Sequence, residues 1–132
     1  TLAVQKSTRI TLAKLAGMPL ILREEGSVTR RLFTDELRRR DLKAAATIEI
    51  EGREAVREAA ARGLGVAIMS EGELSADPRL RTLVIADWDA QMQEWLHCLK
   101  SRAGLHVIRS FLDIGEDAGA KRLAKRAPPG VD

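Results

Sequence analysis

The first 70 residues switch repeatedly between strand-like and helix-like apolar spacing. Leu20-Ile21-Leu22 predicts a short buried strand over 20–23, and the alternating run 46–51 (Ala-Thr-Ile-Glu-Ile-Glu) predicts a second. A third is predicted over 66–69 (Val-Ala-Ile-Met), and helical spacing begins at Val28 and at Arg53. Because strand, helix, strand, helix and strand follow in order, the pattern predicts an α/β fold with a mainly parallel sheet.

Each of these two predicted helices has one apolar face for packing on the sheet. The faces comprise Val28, Leu32, Phe33 and Leu37 in the first helix, and Ala55, Val56, Ala59 and Ala60 in the second. The opposite side of the first helix is charged and carries Arg30, Arg31, Asp35, Arg38, Arg39 and Arg40. We interpret this run as a solvated face in preference to a nucleic-acid patch.

Three shorter elements flank this pattern. Residues 11–17 predict a short helix, with Thr11 as its N-cap and Gly17 as a left-handed stop. Asp77-Pro78 marks a turn, and 83–85 (Leu-Val-Ile) predicts another strand. Residues 1–10 have no clear pattern and are interpreted as the end of a linker.

The C-terminal region predicts a strand and a helix. The apolar content of the segment around Met92, Glu94, Trp95, Leu96, Cys98 and Leu99 predicts a strand buried on both sides. After Gly104, two apolar ridges predict an amphipathic helix (Leu105, Ile108 and Leu112; Val107, Phe111 and Ile114). The basic end from 119 to 132, with Pro128-Pro129-Gly130, is expected to be a flexible tail.

Composition narrows the class of protein. With 132 residues, 45% hydrophobic and 31% charged, the chain predicts a single folded domain with a real core. Aromatic residues make up 3% and the net charge is +3, which argues against a nucleic-acid-binding surface. The single cysteine, Cys98, excludes an internal disulfide, and neither a membrane span nor a signal peptide is recognisable. We therefore expect a cytoplasmic location and no contact with a membrane.

The turn after the first predicted strand carries the candidate chemistry. Gly26 allows a sharp turn, and Ser27 is a strong candidate for the helix N-cap. A helix N-terminus favours bound anions, and Arg23 and Arg30 add cations beside it. The pattern fits a pocket for a negatively charged small molecule. It also fits a simple helix cap flanked by solvated arginines.

Convergence of strand ends favours the pocket. Ligands of open α/β sheets lie beyond the carboxyl ends of the strands, and three such ends fall at 23–29, 51–53 and 69–71. We expect ligand oxygens to be bound by Ser27, Thr29 and Arg53. Glu24 or Glu51 would pair with an amine of the ligand or with the arginines themselves.

Signatures of catalysis and of cofactor binding are missing from the sequence. Gly63-x-Gly65 ends a helix, whereas a dinucleotide-binding fingerprint opens one. His97, Cys98 and His106 do not have the usual zinc spacing, and no Gly-x-Ser-x-Gly elbow is present. We therefore expect no enzymatic activity, no metal and no cofactor.

Three segments together resemble the effector-binding domain of LysR-type transcriptional regulators. They are Leu12-Ala13-x-Leu15-Ala16-Gly17-x-Pro19-Leu20-Ile21-Leu22-Arg23-Glu24-x-Gly26-Ser27-x-Thr29-Arg30, the run from Arg53 to Ser70, and Ile108-Arg109-Ser110-Phe111-Leu112-Asp113. The resemblance covers about residues 2–115. Family members with a comparable Arg-Glu-x-Gly-Ser-x-Thr-Arg run include regulators associated with phosphonate use.

The resemblance implies a two-lobed fold similar to type 2 periplasmic binding proteins, with an effector in the cleft between the lobes. It also implies an N-terminal winged helix-turn-helix domain that binds DNA, and homo-oligomers. By position, the effector-binding residues would be Arg23, Gly26, Ser27, Val28, Thr29, Glu51, Gly52 and Arg53. A serine is common in the family where Gly52 stands, so one side-chain contact is missing here.

The resemblance also divides the chain. Residues 1–90 would be a linker and the second lobe, 91–118 the return strand and helix of the first lobe, and 119–132 the tail. Trp95, Leu99, Phe111 and Leu112 would lack the sheet that normally covers them. We therefore expect 91–118 to fold back on the second lobe or to pack against a second copy.

Two other classes of protein remain open at this point. A solute-binding protein of a transport system would share the cleft but would carry an export signal. An interaction or dimerisation module would bind no small molecule, and its hydroxyl and arginine residues would be scattered instead of clustered.

Overall fold

The computed structural model describes residues 8–74, 76–92 and 95–126. The chain divides into two compact units, 1–90 and 91–132. Their assignment to the second and first lobes of a two-lobed fold stays a prediction. Unit 1 contains the strands β1 (Thr8–Ile10), β2 (Pro19–Arg23), β3 (Ala46–Ile50), β4 (Val66–Ala67) and β5 (Leu83–Ile85), and the helices α1 (Leu12–Ala16), α2 (Val28–Arg39) and α3 (Arg53–Ala61).

Strand β2 is the centre of a three-stranded parallel sheet in the order β3-β2-β4. Leu20 lies opposite Thr47 on one side and opposite Val66 on the other. The predicted alternation of strands and helices is therefore confirmed, as is the predicted parallel sheet. Parallel strands end at the same edge, so the turns after β2, β3 and β4 share one edge of this sheet.

A second, two-stranded sheet pairs β1 with β5 in parallel, with Thr8 opposite Leu83. The prediction of a linker over 1–10 is wrong for Thr8–Ile10, which form β1, and residues 1–7 lie outside the described part of the chain. Strand β5 follows the predicted turn at Asp77, where the backbone N–H of Leu80 donates to the Asp77 carbonyl oxygen.

Both predicted caps at the starts of α1 and α2 are confirmed. The Thr11 hydroxyl accepts the N–H of Lys14 at 3.3 Å, and the Ser27 hydroxyl accepts that of Arg30 at 3.4 Å. Gly17 was expected to be left-handed, but its φ is −77°. The last turn of α1 closes there with ordinary right-handed geometry, since the N–H of Gly17 bonds to the carbonyl of Lys14.

The core lies on both sides of β2. On one side, Leu20 and Leu22 belong to a cluster of side chains that includes Phe33. On the other, Ile21 packs with Val56 and Ala59 of α3. The full first cluster comprises Ile10, Leu12, Leu15, Ala16, Leu20, Leu22, Phe33, Leu37 and Ile68.

Several residues expected on the buried helix faces lie nearer the surface. Val28 is 41% exposed and Ala55 is also exposed; they lie in the first turns of α2 and α3. The interior positions Phe33, Leu37, Val56 and Ala59 are buried as predicted.

Unit 2 contains α4, which runs from His106 to Arg126. The predicted helix after Gly104 is therefore confirmed, but it continues through 119–126, where a flexible tail was expected; residues 127–132 lie outside the described part. Residues 95–99 form no strand, and Trp95 is 73% exposed, so the expectation of a strand buried on both sides is wrong there. Glu94 lies outside the described residues.

Candidate functional site

The turn after β2 is built around Gly26 and Ser27. Gly26 has φ +93°, a left-handed conformation that side chains disfavour, and no atom lies within 4 Å of where its Cβ would be. The glycine is therefore needed for the direction of the chain and not for space. Ser27 then caps α2, Val28 and Thr29 form its first turn, and Arg23 marks the end of β2.

Glu24 ties the turn after β2 to the turn after β3. Its carboxylate accepts two hydrogen bonds from Arg23, at 2.8 Å from Nε and 2.6 Å from Nη2. The same carboxylate accepts the backbone N–H of Gly52 at 3.2 Å. The hydrogen bonds from Arg23 lower the pKa of Glu24 to about 2, and the bond with Glu24 raises the pKa of Arg23. Glu24 is thus a fixed anion that orients Arg23.

The turn after β3 brings a second arginine to this edge. Gly52 has φ +85° and precedes α3, which has no side-chain N-cap there. Arg53 is the first residue of α3, and its guanidinium is about half exposed. Gly52 has no side chain, so this position supplies no hydroxyl group that could compete with Glu24 or Arg53 for hydrogen bonds.

The turn after β4 contributes Glu73, at the end of the 3-10 turn Glu71–Glu73. One oxygen, Oε2, accepts the backbone N–H of Ser70 at 3.1 Å. The other, Oε1, lies 3.6 Å from Arg23 Nη1 and 3.7 Å from Arg53 Nε. One carboxylate oxygen therefore lies between two arginines that come from different turns. We refer to residues 23–29, 51–53 and 70–73 as the junction rim.

The structure brings most of the predicted site residues to the junction rim. Arg23, Gly52 and Arg53 are linked to one another there through Glu24 and Glu73. Val28, Thr29, Gly26 and Ser27 form the adjoining start of α2. The binding of an effector by these residues stays a prediction.

Glu51 behaves differently from the expectation that Glu24 or Glu51 would pair with arginine. Glu24 does so, but Glu51 is exposed and has no ion pair among the described residues. Glu49, which lies within β3, pairs instead, with its Oε2 2.5 Å from Arg30 Nη1. Glu51 lies beyond the end of β3 at Ile50. Arg30 also donates to the carbonyl of Arg23 at 2.9 Å, so this arginine supports the turn.

Glu73 was not anticipated from the sequence, although a signal for it exists. Ser70-x-x-Glu73 matches the capping-box spacing, in which the glutamate reaches back to the backbone N–H of the serine. That motif predicts the contact with Ser70 but not the contacts with Arg23 and Arg53, which depend on the sheet.

Two open depressions lie on unit 1. One, of about 430 Å³, begins at the turn after β2 and follows α2 (Glu25, Gly26, Ser27, Arg30, Arg31, Thr34, Asp35 and Arg38). The other, of about 310 Å³, lies beside the end of α2 and includes Leu22 and Thr47. Neither depression is lined by residues 51–53. The junction rim therefore borders the first depression only through the turn after β2.

Comparison with known proteins decides the family. The family model for the LysR substrate binding domain matches residues 2–120. This chain belongs to the LysR substrate-binding domain family. The HTH-type transcriptional activator CmpR of Synechocystis sp. (strain ATCC 27184 / PCC 6803 / Kazusa) is 32% identical over 111 residues. The match covers 82% of this chain and 36% of that relative, so this LysR-family chain spans about a third of its length.

Two further observations on this LysR-family domain concern membrane-spanning helices and metal-ligating side chains. Within 8–74, 76–92 and 95–126, no helix combines the length and apolar character that a bilayer crossing requires. In the same ranges, no three His, Cys, Asp or Glu side chains are grouped so that they could hold a metal ion.

Proposed function

We propose that this chain is the effector-binding part of a LysR-type transcriptional regulator, and that its effector is a small organic anion bound at the junction rim. Membership of the LysR substrate-binding domain family and likeness to a transcriptional activator support the regulator. One observation carries the choice of an anion: Arg23 and Arg53, from two different turns, both lie beside the same carboxylate oxygen. Converging guanidinium groups are suited to carboxylates and phosphonates.

The first depression supports a place of binding beside the turn after β2, where it adjoins the junction rim. Gly26 and Ser27 line it, together with Arg30 and Arg31. In the two-lobed fold that we propose, 1–90 is the second lobe, 91–118 belongs to the first lobe, and the effector lies in the cleft between lobes. Arg23, Gly26, Ser27, Val28, Thr29, Glu51, Gly52 and Arg53 are the proposed effector-binding residues.

The test is calorimetric titration of the full chain with a panel of anions: inorganic phosphate, methylphosphonate, succinate and citrate. We expect at least one to bind, and Arg53→Gln to weaken that binding about tenfold or more, since a charge-assisted hydrogen bond is lost. Arg62→Gln is the matched control, because Arg62 follows the opposite end of α3 and pairs with Glu58. If no anion binds, or if both variants bind equally well, an anionic effector at this rim is ruled out.

The remaining parts of the proposal concern the whole regulator. We propose a cytoplasmic, non-enzymatic protein that forms homo-oligomers, with DNA bound through an N-terminal domain and no role for a membrane. Exposed Trp95, Val107 and Phe111 in unit 2 support self-association. Light scattering coupled to size exclusion should therefore give more than a monomer mass. A gel shift should show no sequence-specific DNA binding by the chain; specific retardation by the chain would contradict the assignment of DNA binding to another domain.

A further inference from the structure

Arg23 contacts two carboxylates that are held in different ways. Glu24 accepts two short hydrogen bonds from Arg23 and a third from the backbone of Gly52. Glu73 Oε1 lies 3.6 Å from Arg23 Nη1, which is too long for a hydrogen bond. Glu24 is therefore part of the framework of the rim, whereas Glu73 is attracted to Arg23 only by charge.

Arg53, like Arg23, is held to Glu73 by charge and not by a hydrogen bond. Its Nε lies 3.7 Å from Glu73 Oε1, and within the described part of the chain it forms this ion pair without a hydrogen bond. The side chain of Glu73 is only 14% exposed, so its carboxylate lies partly inside the rim and not in open solvent. It is a charged group in a partly dry place with one conventional hydrogen bond, from the backbone of Ser70.

Resting on the proposed function, we propose that the Glu73 carboxylate occupies the position of the effector's anionic group and is displaced when the effector binds. The carboxylate marks three donors: Arg23 and Arg53 beside Oε1, and the N–H of Ser70 on Oε2. A group that replaces this carboxylate and contacts the same three donors needs two oxygens on one atom. This requirement selects carboxylates and phosphonates over halide ions. Glu73 is thus a residue that sets affinity and specificity by competing with the ligand.

Displacement requires little rearrangement of the backbone, because Glu73 ends a single 3-10 turn and not a long helix. Glu24 pairs with Arg23, Glu73 pairs with both Arg23 and Arg53, and these four side chains together carry no net charge. Removing the charge of Glu73 leaves this group with one net positive charge, and an incoming anion then restores the balance. The prediction is a gain of affinity, which damage to the fold would not produce.

The experiment compares methylphosphonate binding to the full chain and to Glu73→Gln, in which the amide oxygen can still accept the Ser70 N–H. We expect the Kd to fall roughly fivefold, the upper range for breaking one partly exposed ion pair. The control is Glu58→Gln, which makes the same charge change at a carboxylate paired with Arg62 and Arg79. We expect its Kd to stay within about twofold of the parent, as for independent sites.

A second measurement does not depend on that variant. Carbon NMR of the Glu73 carboxyl group should show a shift as methylphosphonate is added to the unmodified chain, and sodium chloride at equal ionic strength should not produce it. If methylphosphonate binds in an Arg53-dependent way but Glu73→Gln binds equally or more weakly, Glu73 is not a competitor and the proposed function stands. If neither the chain nor Glu73→Gln binds any anion of the panel, the proposed function fails, and this inference with it.

Discussion

Units 1–90 and 91–132 both carry apolar side chains at regular spacing, but they bury them very differently. Phe33 of α2 is 0% exposed, whereas Phe111 of α4 is 62% exposed. Among the residues that the structure describes, those of the buried core lie between Ile10 and Ile68. In unit 2 the exposed large hydrophobic residues are Trp95, Leu96, Leu99, Leu105, Val107, Phe111 and Ile114. Apolar periodicity therefore reports which face of a helix can pack, while burial also requires a surface to pack against.

The largest expected effect separates the two phenylalanines. Phe33→Ala should lower the free energy of unfolding by about 3–5 kcal/mol, because it opens a cavity in the cluster that contains Leu20 and Leu22. At protein concentrations low enough to keep the chain monomeric, Phe111→Ala should change it by less than about 0.5 kcal/mol, as at other surface positions. Urea denaturation of both variants measures the difference. Equal losses would mean that α4 buries Phe111 in solution.

Alanine substitutions at two glycines should change stability by smaller amounts and in opposite directions. A Cβ on Gly65 would lie 2.6 Å from the backbone oxygen of Pro19, so Gly65→Ala should cost about 1–3 kcal/mol by moving the sheet. A Cβ on Gly115 would meet the side chain of Leu96, which is exposed and can move away. Gly115→Ala should therefore stabilise α4 by up to about 1 kcal/mol through helix propensity. Urea midpoints test both substitutions, and a destabilised Gly115→Ala would show that Leu96 is held firmly.

Acid should weaken unit 1 through carboxylates that fix its helices. Asp87 accepts the N–H of Leu12 at 2.8 Å and pairs with Arg40, and these contacts, chiefly the first, lower its pKa. Hydrogen bonds from Arg39 and then Arg40 lower the pKa of Glu36 to about 2. Because both pKa values are lower in the folded state, this stabilisation is complete above the ordinary values of 3.8 for Asp87 and 4.5 for Glu36. It is lost as the pH falls through the folded-state pKa of each group, which for Glu36 is about 2.

The acid prediction is checked by urea midpoints measured at several pH values with the fluorescence of Trp88, which packs beside Phe33. Asp87→Asn should reduce stability at neutral pH and should also flatten its dependence on pH, since one of the shifted groups is gone. An unchanged pH dependence in Asp87→Asn would exclude Asp87 as a source of acid sensitivity.

The smallest expected effect is a difference in fluorescence quenching between the two tryptophans, and it requires no loss of stability. The chain has two tryptophans, one in each unit. Trp88 is half-buried, with its ring centroid 6.1 Å from that of Phe33, whereas Trp95 is 73% exposed. In the monomeric chain, at low protein concentration, acrylamide should therefore quench the Trp88→Phe variant, which retains Trp95, more strongly than the Trp95→Phe variant. Equal quenching would show that unit 2 covers Trp95 in solution.

Local patterns predicted the elements of unit 1 that carry an apolar run or a recognisable helix cap. The strand at Leu20-Ile21-Leu22 and the caps at Thr11 and Ser27 follow from apolar runs and from hydroxyl groups at helix starts. Strand β1 was missed because Thr8-Arg9-Ile10 contains no apolar run, whereas its equally short partner β5, Leu83-Val84-Ile85, is apolar throughout. The strand expected around Trp95 was inferred from apolar content, which does not specify a partner surface.

In the candidate site, too, some residues could be predicted from the sequence and others could not. Gly26, Ser27, Gly52 and Arg53 could be chosen from their position after strands. Glu73 could not, because its contacts with Arg23 and Arg53 exist only when three turns meet at one edge. The role of Gly17 was wrong for a local reason: a glycine after a helix does not have to adopt a left-handed conformation.

The pairing of β1 with β5 sets an order of events during folding. Thr8 meets Leu83, and the N–H of Ala86 reaches the carbonyl of Ile10, only after almost the whole of unit 1 has been synthesised and drawn together. The β2–β3 pair closes a much shorter loop, with Leu20 opposite Thr47, and closing a long loop costs more entropy. We therefore expect that a nascent chain can pair β2 with β3 before the small sheet forms.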